Sequence, residues 1–470
     1  MTGQVTLARP VLLPVSLEQE PGESFRRQLA ALVELSEGLV EWRPAAWVGD
    51  PVADDVTAVV VPDMSGLAYR LLEELRRIPV PLLVVTSEFG TVSMWDWEIR
   101  DYLRRRGVDT VAPTSRQELV DVLRGLAVRQ TLPRSRMLAY LDDLGAGMQP
   151  DIFKRFYWWE DACVAELEAA FGVRVERRSF KELAARAAAV DEERVVEAAR
   201  RTAPDVPVEG LSGTGRANAL RLYLALGDEL DETGDVIAAG INCLNESATS
   251  PTTPCLAWDL LYEERGTLWG CEADLTSMIT ETIVHSSLDV PVMMTNIYPF
   301  LMGHAALDHE KIPYFPDVTQ PQNHILVAHC GFFGVVPRSF ATEWVLRPRV
   351  LEIVDPEANA IDARFPTGPV TIVKLGSDLR TLTVTPAELT GYQQYPGSDC
   401  LNGAILRVAD GYGFVESTPS HHVVLVVGDV VRRLQLAAQV WGLDVRTAPP
   451  VPPLPVERQA ALAASAGALA

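Results

Sequence analysis

The chain has 470 residues, 48% hydrophobic and 22% charged, a globular composition long enough for two to four domains. With 63 acidic and 41 basic residues its formal net charge is −22, which argues against nucleic acid and anionic membranes as partners and leaves a small neutral ligand open. Six cysteines with no CxxC pair do not make a disulfide framework, and no apolar run approaches the length of a membrane span. The opening MTGQVTLARPVLLPVSLEQE lacks the pattern of a signal peptide, so the expected location is the cytoplasm.

In chain order, the first residues read as a lead-in with helix from Ser24 to Val40. Strand and helix then alternate: strands at Val56–Val61, Pro81–Thr86 and Val111–Ala112, helices at Gly66–Ile78, Trp95–Gly107 and Arg116–Gln130. Continuous apolar strands separated by helices predict a parallel sheet covered on both faces. A second alternating unit opens at Met137–Leu141. It has helices at Pro150–Phe171, Phe180–Arg201, Gly213–Leu230 and Thr276–Ser286, and strands at Val173–Glu176, Asp235–Ile241 and Val290–Thr295. From residue 346 the pattern turns to strands, at Gly368–Leu375, Leu379–Thr385, Ala404–Val408 and His422–Val427, before a helix at Val430–Trp441. The fold class is therefore α/β, with two Rossmann-like parallel-sheet domains followed by a β-rich, barrel-like C-terminal domain. The boundaries fall at 1–132, 133–345 and 346–446, with a Pro/Ala-rich tail at 447–470.

Two runs place polar groups among apolar neighbours: Gly270-Cys271-Glu272-Ala273-Asp274 and Ser420-His421-His422-Val423-Val424. Asp274 can cap the helix that follows it. Glu272 lies between Trp269, Cys271 and Leu275, and a carboxylate there needs a cation or a salt-bridge partner. Asn296 ends an apolar strand, where open α/β sheets present ligand groups. Its carbonyl oxygen can meet a hard cation or a sugar hydroxyl, or it can serve an Asx turn. His329 closes the run Ile325–Ala328 as a ligand, a substrate contact or a core group. Successive strand residues face opposite sides, so one of His421 and His422 points into a given pocket unless the chain bends. Trp97, beside Trp95 and Glu98, offers a stacking face or a packing face. Trp158-Trp159 falls within the expected helix and reads as core or subunit contact.

The ordered set Gly240-Ile-Asn-Cys-Leu-Asn245, Thr253-Pro-Cys-Leu-Ala-Trp258, Gly270–Asp274, Val290-Pro-Val292 and His421-His422, with Asp96-Trp97-Glu98, resembles the L-fucose isomerase and L-arabinose isomerase superfamily. The resemblance spans most of residues 50–445. It implies a divalent metal, Mn²⁺ by preference, and interconversion of an aldose and a ketose through an enediol. It also implies a homo-oligomer, trimer or hexamer, acting on a small neutral sugar. By the same resemblance Glu272 and His422 are metal ligands and Glu272 is catalytic. His421, His329 and Trp97 contact substrate. The family's second carboxylate, both ligand and catalytic group, falls on Asn296. That departure leaves Glu272 as the one evident acid–base group, with Asp274, Asp308 and Glu310 as the acidic residues at hand. The alternatives it raises are a related metal-dependent carbohydrate enzyme of changed chemistry and a non-catalytic sugar-binding protein.

Overall fold

A computed structural model describes residues 6–64, 66–85, 96–142, 155–202, 206–243, 249–299, 307–308, 312–314, 318–348, 355–395, 398 and 401–452. Trp95, Asn245, Glu310 and the tail from 453 onward lie outside them.

The first sheet is parallel and contains β1 (Val11–Ser16), β2 (Glu41–Trp42), β3 (Ala46–Trp47), β4 (Ala58–Val61), β5 (Leu82–Val84) and β6 (Thr110–Val111). Its order is β2-β1-β4-β5-β6, with β3 also on β1. The expected lead-in thus contains a fully buried strand. Pro14 disguised it, because proline cannot donate to a ladder. Here it lies between the positions where β1 pairs with β2 and with β3.

The second sheet is also parallel, in the order β10-β9-β7-β8, from β7 (Arg136–Tyr140), β8 (Arg174–Arg178), β9 (Val236–Ile241) and β10 (Leu268–Cys271). The helix before β8 runs only over Asp161–Phe171 and stops at Gly172, whose φ of 75° supplies the left-handed cap. Trp158 and Trp159 precede it in a short 3₁₀ turn, Tyr157–Trp159. The single expected helix after β8 is two, Phe180–Ala188 and Glu192–Thr202, with buried Val190 at the break.

The third sheet is an antiparallel barrel. It takes β11 (Val292–Pro299), β12 (His324–Ala328), β15 (Gly368–Leu375), β16 (Thr381–Gln393), β17 (Gly403–Arg407) and β18 (His422–Val427) in the order β15-β18-β11-β12-β17-β16. It closes through β15–β16, and β19 (Asp444–Thr447) lies parallel to β16 outside the ring. A separate hairpin joins β13 (Glu343–Pro348) to β14 (Asn359–Arg364). One expectation is corrected here. Strands β11 and β12, within residues 133–345, belong to the barrel and not to the second parallel sheet. A short fully buried apolar strand reads alike in both settings, so periodicity could not separate them.

The first sheet carries a separate core on each face. The second sheet and the barrel share one continuous core that includes Trp158, Trp159, Trp269, Met278 and Leu425. The helix Leu275–Leu288 is packed between β10 on one side and β11, β15 and β18 on the other. That shared core brings the two polar runs together. No helix among the described residues is long and apolar enough to cross a membrane.

Candidate metal centre

Strand β10 ends at Cys271, and the next two residues turn sharply: Glu272 and Ala273 have φ of 54° and 46°. Non-glycine residues in this region cost of order 1–3 kcal/mol each and persist only where the surroundings hold them. Two indoles do so. Trp159 Nε1–H donates to the carbonyls of Glu272 (2.9 Å) and Ala273 (3.3 Å), and Trp158 Nε1–H donates to that of Glu272 at 3.4 Å. On β9, Gly240 makes room for the turn, since a Cβ there would meet Ala273 Cα at 2.8 Å. The turn leaves the Glu272 side chain buried and its Oε2 without a hydrogen-bond partner.

Asp274 then caps the helix Leu275–Leu288, accepting from Ser277 N–H at 2.9 Å. It also accepts from Thr276 Oγ1 (2.7 Å), Ser277 Oγ (2.9 Å), Lys374 Nζ (3.2 Å) and His422 Nδ1 (2.9 Å). Lys374, fully buried on β15, also donates to Thr276 Oγ1 at 2.9 Å and Ser277 Oγ at 2.7 Å. Burial raises the Asp274 carboxyl, but Lys374 and His422 outweigh it and hold it well below the ordinary range.

Barrel register supplies the opposing side. Asn296 on β11 pairs with His422 on β18 and with Ala328 on β12, so these positions share one rung. Asn296 therefore reaches the site through an antiparallel ladder, not from the carboxyl edge of a parallel sheet. His422 opens β18, and His421 sits in the bend before it. The bend relaxes the strand alternation, so the rings lie 4.1 Å apart and both approach Glu272. His421 Nε2 is 3.4 Å and His422 Nε2 is 3.6 Å from Glu272 Oε2. Trp158 lies against both rings, at centroid distances of 5.9 and 5.6 Å.

Asp274 fixes the His422 tautomer. A carboxylate only accepts, so Nδ1 carries the proton and Nε2 presents a lone pair. Burial pushes the His422 imidazole down, against the pull of Glu272 and Asp274, and keeps it neutral near pH 7. Two acceptors, Glu272 Oε2 and His422 Nε2, then face each other within the protein, and neither has a hydrogen-bond partner. Burial raises the Glu272 carboxyl too, but His422 and His421 outweigh it and leave it below the usual carboxylate range. This is an arrangement a cation satisfies. Ligands about 2.0–2.2 Å from one ion lie roughly 3–3.5 Å from each other, and the two Glu–His separations are close to that. Glu272, His421 and His422 offer donor atoms all within 4.8 Å of one another, forming a mostly buried site able to coordinate a divalent metal ion. The set is one carboxylate and two imidazoles, with His422 oriented by a carboxylate behind it.

His421, expected to touch substrate, is thus grouped with the ligands. Asn296 lies on the same rung, its Oδ1 buried without a partner and its Nδ2 3.4 Å from Tyr298 OH. His329 is buried with both ring nitrogens unpartnered, its ring 5.6 Å from that of His422. Burial pushes its imidazole down to about 3. Trp97 is 65% exposed on the helix Asp96–Arg105 and lines a different cavity, with Arg100, Arg104 and Arg432. Within one chain it does not join the cluster. Of the acidic residues near Asn296 in sequence, Asp308 is exposed, and Asp274 is tied to Lys374. Sequence reasoning missed the roles of Lys374, Trp158 and Trp159. Lys374 did leave a signal, as the lone charge in the apolar run Val370–Leu375.

Compared with models of known protein families, the chain matches none, and no curated protein matches it.

Proposed function

We propose that the chain is a metal-dependent enzyme that interconverts an aldose and a ketose through an enediol. The observation that supports this reading is the Glu272–His421–His422 cluster, with buried acceptors facing each other across a gap that a cation fills. Bound there, a divalent metal supplies Lewis-acid stabilisation of charge developing on substrate oxygens. The chain's own residues do the rest. His422 is held in one tautomer by Asp274, and Glu272 is held in place by the tryptophan-clamped turn. Glu272 is the carboxylate assigned to move the proton. Net isomerisation transfers one hydrogen from C2 to C1 and one from O2 to O1, so it consumes no co-reactant. Following the resemblance, we assign Mn²⁺ as the ion, the cytoplasm as the location, and a trimer or hexamer as the assembly.

A second reading has an observation of its own. With Asn296 in the second carboxylate position, the donor set has two imidazoles and one carboxylate, which also suits iron(II) or zinc and a changed carbohydrate chemistry. One experiment addresses both. Metal-free protein is loaded with Mn²⁺, Fe²⁺ or Zn²⁺, mixed with a panel of aldoses in D₂O, and followed for ketose formation and exchange at C2. Exchange that requires metal and is abolished in Glu272→Gln is expected. Tight metal binding with no exchange on any aldose rejects isomerisation and leaves the second reading. In Asn296→Asp, calorimetry should show tighter metal binding together with a less stable metal-free fold.

A further inference from the structure

The helix Leu275–Leu288 carries several buried polar side chains through the shared core, and one of them is unused by the metal centre. Glu281 is fully buried, and neither of its carboxyl oxygens has a hydrogen-bond partner. It lies one helical turn beyond Ser277, on the same face. Ser277 Oγ accepts from Lys374 Nζ at 2.7 Å, and the N–H of Leu375, the next residue on β15, donates to Thr280 Oγ1 at 3.3 Å. Helix side chains lean toward the amino end, so Glu281 leans toward the Asp274–Lys374 pair. Burial, aided by the Asp274 charge, raises its carboxyl well above the ordinary range. The Met294 amide of β11 and Lys374 oppose that and are outweighed. Glu281 is thus a neutral acid in the metal-free fold. The other ionisable groups around this helix are already committed. Burial raises the Tyr157 phenol to about 12, the Cys163 thiol to about 11 and the Cys271 thiol well above its ordinary value, so all three are neutral. His285, one turn further on, is bonded to Tyr262 and the Val290 carbonyl and is kept neutral by burial. The ion pairs Asp121–Arg433 and Arg124–Asp289 lie toward the carboxyl end of the helix.

A charge inventory gives this acid a role. The buried groups around His422 include two anions, Glu272 and Asp274, and one cation, Lys374, so without metal they carry one net negative charge. A divalent ion reverses that to one net positive charge. Either excess is unfavourable in a low-dielectric core, and loss of one proton from the loaded assembly restores neutrality. The protons on His422 Nδ1 and Lys374 Nζ are bonded to Asp274. The phenol and the thiols are weaker acids than a carboxyl group. Glu281 holds a proton that no neighbour engages. The bonds from Lys374 to Asp274 to His422 run unbroken to the cluster, which links the two ends electrostatically. We infer that Glu281 is the proton store of the metal centre, giving its carboxyl proton to solvent when a divalent cation binds Glu272, His421 and His422 and taking one back when the cation leaves. This rests on the metal-centre reading above and is independent of the sugar chemistry.

The test titrates the metal-free full chain with Mn²⁺ calorimetrically near pH 7 in PIPES, HEPES and TES, whose different heats of ionisation report the protons released per ion bound. Glu281→Gln keeps the shape and neutrality of the protonated acid but has no acidic proton to release. The wild type is expected to release about one more proton per Mn²⁺ than the variant, so its metal affinity should rise about tenfold more steeply per pH unit. Protons from any other source are common to both proteins and cancel in the difference. On the wild type alone, infrared difference spectra should lose the C=O band of a protonated carboxylic acid when Mn²⁺ is added, a readout that does not depend on the variant folding. Equal proton release by the two proteins, or a band that persists in Mn²⁺-saturated wild type, overturns the inference and leaves the metal centre standing. Wild-type protein that binds no Mn²⁺ overturns both.

Discussion

The two sides of the metal cluster are positioned by opposite means. Glu272 comes from a turn with two non-glycine residues at positive φ, kept in place by indole hydrogen bonds and by the missing side chain of Gly240. His422 comes from a regular antiparallel ladder and shares its rung with Asn296 at no conformational cost. A donor placed by strain needs a clamp on its backbone. A donor placed by register needs only its ring fixed, and Asp274 does that through Nδ1. Asp274 is two residues from Glu272 in sequence yet acts on the histidine side.

This contrast can be broken from either side. The largest effect is expected for Asp274→Asn. Asparagine caps a helix as well as aspartate does, so the cap survives. The charge does not, and Lys374 is left buried without its counter-ion. We expect a loss of about 3–5 kcal/mol in chemical denaturation and a 10–100-fold loss of metal affinity by calorimetry. A change confined to a few tenths of a kcal/mol would reduce Asp274 to a cap. Next is the clamp. Gly240→Ala places a methyl 2.8 Å from Ala273 Cα and from Met278 Sδ. It should cost about 1–3 kcal/mol by overpacking and weaken metal binding through the displaced turn. Trp159→Phe keeps an aromatic ring but removes the donor to Glu272 and Ala273, at a cost of about 1–2 kcal/mol for the lost hydrogen bonds and a further loss for the vacated volume. Retained metal affinity in both variants would show that the turn holds itself.

The smallest effect per unit of change is in pH. The His329 imidazole is depressed to about 3 in the fold from an ordinary value of 6.5. The unfolded chain therefore takes up the proton first as pH falls. Stability from this group is full above about pH 6.5 and drains down to about pH 3, at roughly 1.4 kcal/mol per pH unit. His422 is depressed in the same direction. Metal-free His329→Gln should show a shallower acid limb in denaturation measured between these limits.

Much of the architecture was legible in local pattern. The alternation from Val56 to Val111 gave a parallel sheet, and the runs at Gly368–Leu375 and His422–Val427 fall on barrel strands with those bounds. Gly172 stopped its helix as expected. Val290–Thr295 was legible as a strand but not as a barrel strand, because burial on both faces erases the alternation that distinguishes sheet types. Trp158 and Trp159 read as core or subunit-contact residues within a helix, and their role as backbone donors had no local signature.

The sequence by itself determined that Glu272 and the His421-His422 pair are polar groups set among apolar neighbours, and that Asp274 is placed where it can cap a helix. Those facts follow from short-range chemistry: burial of apolar flanks and the free N–H groups of a helix start. Only the tertiary structure decided that Glu272 Oε2 meets two imidazoles and that Lys374 balances Asp274. Each of these joins residues from different elements of the fold, 100 residues apart in sequence for Asp274 and Lys374. Such contacts are fixed by the one core that the second sheet and the barrel share, which no local window of sequence contains.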